Sequence, residues 1–188
     1  MGDRTLKKQI HTLLSATDQP AAHRQILALP PNQVIGPLIA HLCAVDEHVK
    51  GRAIVALGQV VARLADHDME AARIVMRRFM YMLNDESGGI GWGVPEAFAE
   101  ILACHAGLAA EYTNILVSFM REDGFYLEYE PLQRGLLWGI NRLAEVHPEL
   151  LHKFNATDYL RAYLNSKDPA IRGLAQSALQ KLTGPGTS

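Results

Sequence analysis

The chain has 188 residues, 48% of them hydrophobic and 20% charged, which excludes a disordered tail, a collagen-like rod and a disulfide-framework miniprotein. The length suits one domain or a short repeat array. Eighteen Lys and Arg against twenty Asp and Glu give a formal charge of −2, so nothing global favours a nucleic-acid partner held through phosphates.

At the N-terminus, residues 3–15 and 20–29 read as an atypical pair of capping helices within a cap spanning 1–33. No long apolar core or small-residue cleavage site marks a secretion signal there. The longest stretch without Asp, Glu, Lys or Arg, residues 25–45, is interrupted by Pro30, Pro31, Asn32, Gln33 and Pro37. A membrane-spanning helix needs about 20 continuous apolar residues, so this stretch reads as two short helices of a soluble protein. The two cysteines, Cys43 and Cys104, stand singly in apolar runs and read as small buried hydrophobes, an arrangement suited to a reducing cytoplasm.

Four helical segments follow, at about 34–45, 69–83, 109–120 and 157–165. Each runs into a turn rich in capping or helix-breaking residues: Asp46-Glu47-His48, Asn84 through Gly89, Glu122-Asp123-Gly124 and Ser166 through Pro169. A second helix follows each turn. Anchored on Val49, Ile90, Leu132 and Ile171, these second helices align at intervals of about forty residues. Four places on stand Ala53, Val94, Leu136 and Ala175. Seven places on stand Ala56, Ala97, Gly139 and Ala178, all very small. Eight places on stand Leu57, Phe98, Ile140 and Leu179, and eleven on stand Val60, Ile101, Leu143 and Leu182. Offsets of four, seven, eight and eleven mark one face of a helix, and the small residue marks a close approach between helices. No stretch alternates with period two. The expected fold is all-α: four antiparallel helix pairs over 34–183 behind the N-terminal cap, in a single domain with a frayed tail at 184–188.

The run from Asp46 to Gly58 resembles the second helix of a HEAT repeat, as does the run from Asp168 to Leu179. Both show Asp, then an aliphatic and a basic residue, then Ala and Ala-Leu. The chain is similar over residues 34–183 to the bacterial HEAT-like repeats of the phycobilisome-lyase type. The second and third segments depart from the pattern, with Gly91 and Gln133 in place of the basic residue. The resemblance implies an α-α superhelix, a solenoid whose second helices line the concave face.

Positions that fail to repeat point to function. Offsets two, six and ten carry Gly51, Val55 and Gln59 in the first repeat. The second carries Trp92, Glu96 and Glu100, the third Arg134, Trp138 and Arg142, and the fourth Gly173, Ser177 and Lys181. A spacing of four puts each set in one stripe of its helix. Both tryptophans of the chain therefore belong to neighbouring stripes, with Glu96 and Glu100 in register with Arg134 and Arg142. One reading braces adjacent helices with these charges; the other makes the patch a ligand-binding surface. The glycine-rich turn from Ser87 to Gly93 favours the second, because glycine is retained where the backbone needs positive φ or a close approach. Pro95 and Glu96 suit the first turn of the following helix, and the amides at such a helix start can also hold an anion.

Residues 84–130 hold nine acids against the single base Arg121, between two segments of net +3. Aromatic Phe125, Tyr126 and Tyr129 share the third turn with Glu128. Acids and aromatics in one loop favour recognition of a partner with basic character. No catalytic residues, metal ligands or cofactor are expected. His41, Cys43 and His48 are separated by a turn, His147 and His152 are off-face, and Cys104 and His105 point to different faces. The expected function is a non-enzymatic scaffold for a protein or peptide. Its expected binding residues are Trp92, Glu96, Glu100, Arg134, Trp138 and Arg142, with Glu128 and Tyr129 at the rim. The alternative implied by the repeat family is a DNA glycosylase-like enzyme or a bilin-lyase-like small-molecule binder acting through the same Trp/Glu/Arg patch.

Overall fold

A computed structural model describes residues 3–84 and 91–184. The expectations for Ser87, Gly88, Gly89 and Ile90, and for residues 185–188, fall outside them. Among the described residues there are eleven helices and no strand. They are α1 (Asp3–Ser15), α2 (Gln19–Ala28), α3 (Pro31–Ile39), α4 (Glu47–His67), α5 (Met69–Asn84), α6 (Val94–Cys104), α7 (Ala106–Ser118), α8 (Glu130–Val146), α9 (Pro148–Lys153), α10 (Ala156–Tyr163) and α11 (Pro169–Thr183).

Local chemistry fixes the helix starts. The Asp46 carboxylate accepts from the amides of His48 and Val49 to open α4, and Asp168 accepts from Ala170 N to open α11. Pro131 and Pro169 sit in the first turns of α8 and α11, where no amide donor is missed. The helix expected at 34–45 is shorter and earlier than its apolar run suggests. Pro37 lies inside α3, and after Ile39 the chain tightens into turns in which His41, Leu42 and Ala44 donate three residues back. Two consequences correct the sequence reading. Val45 is almost fully exposed, and Cys43 is an exposed free thiol rather than a buried hydrophobe. Cys104 is half-buried. The segment after His147 adds the short α9, so the last unit holds three helices.

The second helices stack in series, α4 on α6, α6 on α8 and α8 on α11, with the leading helices packed beside them. The residues at offsets four, seven and eleven are buried in all four units. At offset eight Leu57, Phe98 and Ile140 are buried, while Leu179, in the terminal helix, is only partly covered. The small residue at offset seven does the spacing work. A Cβ on Gly139 would lie 2.5 Å from the Ala99 Cβ, closer than two methyl groups can approach, so α6 and α8 meet at backbone distance. Each pair buries its apolar face only against its neighbours, which is the energetic logic of a solenoid.

Candidate functional site

The stack brings α4, α8 and α11 around an open groove of about 650 Å³. Its walls include Glu47, Lys50, Gly51 and Val55 of α4, Trp92 and Glu96, Arg134 and Trp138 of α8, and Ala170 and Leu174 of α11. The turn after α3 closes one side with Leu42, Cys43 and Ala44.

Trp92 lies in the turn ahead of α6, not on the helix itself as the stripe pattern predicts. Gly93 makes this placement possible. Its φ is +69°, and a Cβ there would stand 2.7 Å from the Leu42 carbonyl oxygen. The two turns therefore press together, and the Trp92 indole stands over the groove beside them. Trp92 is 38% exposed and Trp138 36%, so each is partly packed against the protein and partly open to water. Tyr129 meets Trp92 edge-on, with ring centroids 5.7 Å apart.

The carboxylates divide into two roles. Glu96 sits in the first turn of α6 with its carboxylate over Gly135 of α8, where a Cβ would collide with it. Its partner is Lys50 of α4, at 3.5 Å, and not Arg134. Burial drives the Glu96 carboxyl above its ordinary value, against the opposing pull of its own helix amide and of Lys50. Glu100, one turn on, is 5% exposed and lies against Gly58 of α4. It is bound by Arg142 of α8 at 2.9 Å and serves as an interhelix tie, which removes it from the set of ligand contacts. Arg142 is committed with it and lies outside the groove lining. Beside this pair the Cys104 thiol is pushed up to about 11, by burial first and by Glu100 second. Arg134 turns the other way, binding Asp168 at the start of α11 and Glu130 at 3.5 Å. Burial alone raises the Asp168 carboxyl, but the hydrogen bonds from Arg134 and Ala170 outweigh it and hold it below its ordinary value.

The structure thus brings Trp92, Glu96, Arg134 and Trp138 into one groove, sets Tyr129 against Trp92, and leaves Glu100 and Arg142 between helices. Glu128 is exposed and does not line the groove. The acidic middle segment is largely cross-braced: Glu96 by Lys50, Glu100 by Arg142, Glu111 by Arg73 and Asp123 by Arg121. Gly51 and Val55 occupy offsets two and six of α4, where a small and an aliphatic residue look like packing in the sequence. Cys43 and Ala44 gave no signal, since only the unexpected turn after α3 presents them. Among the described residues no cluster of three or more His, Cys, Asp or Glu could hold a metal ion, and no helix is long and apolar enough to cross a membrane.

Among solved structures, a designed armadillo repeat protein in complex with the peptide (KR)4 superposes with a TM-score of 0.53 at 18% identity, covering 94% of this chain and 81% of the other. Computationally designed armadillo repeat proteins for modular peptide recognition match with a TM-score of 0.50 at 18% identity, over 92% of this chain and 80% of theirs. An engineered protein matches with a TM-score of 0.53 at 18% identity, over 97% and 80%. The fold is an armadillo-like α-solenoid. No family model matches the chain, and no curated protein does.

Proposed function

We propose that this α-solenoid is a non-enzymatic scaffold that binds a protein or peptide segment in the groove between its second helices. One observation carries the reading: both tryptophans of the chain, each more than one-third exposed, line the same open groove. Half-buried indoles held by a rigid helical stack lose little entropy on binding and offer large apolar area, which is where interface energy concentrates. Trp92 and Trp138 act as anchors. Glu96 and Arg134, already fixed by Lys50 and Asp168, give the groove a defined polar edge, while Tyr129 braces Trp92 and Glu128 stands with it in the third turn. Basic residues of a partner flanking the bound stretch fit the exposed carboxylate of Glu128 in the third turn. The peptide complex of the armadillo-type relative agrees with this use of the fold but does not carry the proposal, because likeness of fold does not transfer function. The repeats over 34–183 are read as HEAT-like from the Asp-to-Leu patterns quoted above. The exposed thiol of Cys43 beside the groove suits a reducing cytoplasm.

The test uses the tryptophans themselves. Because the chain has only Trp92 and Trp138, its indole emission reports groove occupancy alone. Peptides selected from a display library against the purified protein should shift that emission on titration of the wild type, and Trp92→Ala/Trp138→Ala should abolish their binding, read by the anisotropy of a fluorescently labelled peptide, while circular dichroism shows an intact helical fold. Undiminished binding to the double variant would overturn the proposal.

A further inference from the structure

We infer that the groove is one end of a longer trough, running across the stacked helices to the N-terminal cap, that receives an extended and uncharged peptide stretch with an apolar anchor at each end. The inference rests on the peptide-binding reading above and adds the ligand's length, direction and chemistry. A second cavity, of about 390 Å³, lies where α1 and α2 meet α4 and is lined by Leu13, Leu14, Pro20, Ile26 and Arg52 among others. Gly51 and Val55 line both cavities, so the two join across the face of α4.

Gly51 is the second observation. Helix interiors disfavour glycine, and three glycines of these helices are kept by close packing. Gly58 makes room for Glu100, Gly135 for Glu96 and Gly139 for Ala99. At Gly51, as at Gly36 and Gly173, nothing beyond its own turn of helix comes within 4 Å of the place a Cβ would take, and φ is not positive; of the three, Gly51 lines both cavities. No other side chain fills the space beside Gly51, which lies where the two cavities share their lining. A ligand backbone crossing α4 would use it.

Charge decides the ligand's character. Every charged side chain lining the two cavities is engaged within the protein: Lys50 with Glu47 and Glu96, Arg134 with Glu130 and Asp168, and Arg52 with the carbonyls of Leu14 and Ala16. The polar Gln19, His23 and Gln59 of the second cavity are likewise hydrogen-bonded within the chain, which leaves Trp92 and Trp138 at one end and Leu13, Pro20 and Val55 at the other as the apolar contacts. A self-neutralised trough is complementary to a stretch without charge. Helices pack about 9 Å apart and an extended chain rises about 3.3 Å per residue, so crossing from α11 to α2 takes on the order of ten residues. The anchors then lie about seven apart.

The test is a 12-residue random display library panned on the full chain, followed by synthesis and truncation of the enriched peptides. Two apolar positions about seven apart should emerge, and truncation to six residues should weaken binding at least tenfold. Gly51→Leu should weaken the 12-mer at least tenfold without lowering thermal stability. The control Gly173→Leu, at another open helix position outside both cavities, should leave binding unchanged; Val55→Lys repeats the block should Gly51→Leu fail to fold. If six- and twelve-residue peptides bind equally and neither block has an effect, the ligand is confined to the tryptophan groove and the trough is overturned while the scaffold reading stands. Lys or Arg at the anchor positions overturns the uncharged assignment. A selection that enriches nothing overturns both.

Discussion

Replacing Lys50 by Met isolates the electrostatics of the groove floor. The substitution keeps the aliphatic stem and removes the ammonium 3.5 Å from Glu96, in a pair whose side chains are only 19% and 14% exposed. The loss has a ceiling, because a stranded carboxylate escapes by taking up a proton. From an ordinary value of 4.5, that escape costs about 3.4 kcal/mol at pH 7, at about 1.4 kcal/mol per unit. Wild-type Glu96 already lies above 4.5, so part of the ceiling is reached before the substitution, and the variant should lose less than that ceiling at pH 7. For a chain of this length each kcal/mol lost lowers Tm by about 2–4 °C. The sign follows from the raised carboxyl. Between 4.5 and its folded value the native state holds more protons than the unfolded one, so stability falls as pH rises through that window. Removing Lys50 extends the window upward. Urea denaturation followed by far-UV circular dichroism should therefore show wild type and Lys50→Met converging near pH 4.5 and diverging towards pH 7. Parallel curves across that range would refute the account of Glu96 as a buried carboxylate held by Lys50.

Three further outcomes follow from the packing. Gly139→Ala should cost about 1–3 kcal/mol in urea denaturation, because its methyl group meets Ala99 at 2.5 Å, whereas Gly173→Ala, with open space around it, should gain about 0.5–1 kcal/mol. Asp168→Asn keeps an N-cap acceptor for α11 but removes the titrating group. Since the wild-type carboxyl is held below 3.8, its stabilisation is present above that value and lost as pH falls through the folded value, so the variant should show a shallower acid loss below about pH 4 in a thermal scan. A maleimide at pH 7 should label the native protein at Cys43 and spare Cys104, whose thiol is half-buried and held up near 11. Labelled protein should bind groove peptides more weakly, because Cys43 lines that wall.

The solenoid was legible in the sequence because its packing is periodic. A residue that meets the next helix in every repeat must satisfy the same steric demand each time, so Ala56, Ala97, Gly139 and Ala178 announce one another. The tryptophans and the groove-lining Glu96 and Arg134 were legible for the opposite reason, as departures from that period. The pairing of the charges was not. Register along the helices put Glu96 opposite Arg134, but the carboxylate settles over Gly135 towards Lys50, and Arg134 reaches the cap of α11. Glu100, alike in sequence, is buried and tied to Arg142. Partner choice depends on which neighbouring helix leaves room, and that room is set by glycines contributed from elsewhere in the chain. The exposed turn carrying Cys43 was hidden for a related reason: an apolar run reads as helix, whereas here α3 ends at Ile39, just after Pro37, and Leu42 lies in a turn packed closely on Gly93. Local composition and spacing determined the helices, their order and the face each buries. Only the tertiary structure decided which odd residues share a groove, because that depends on distances between segments some forty residues apart, which no local pattern encodes.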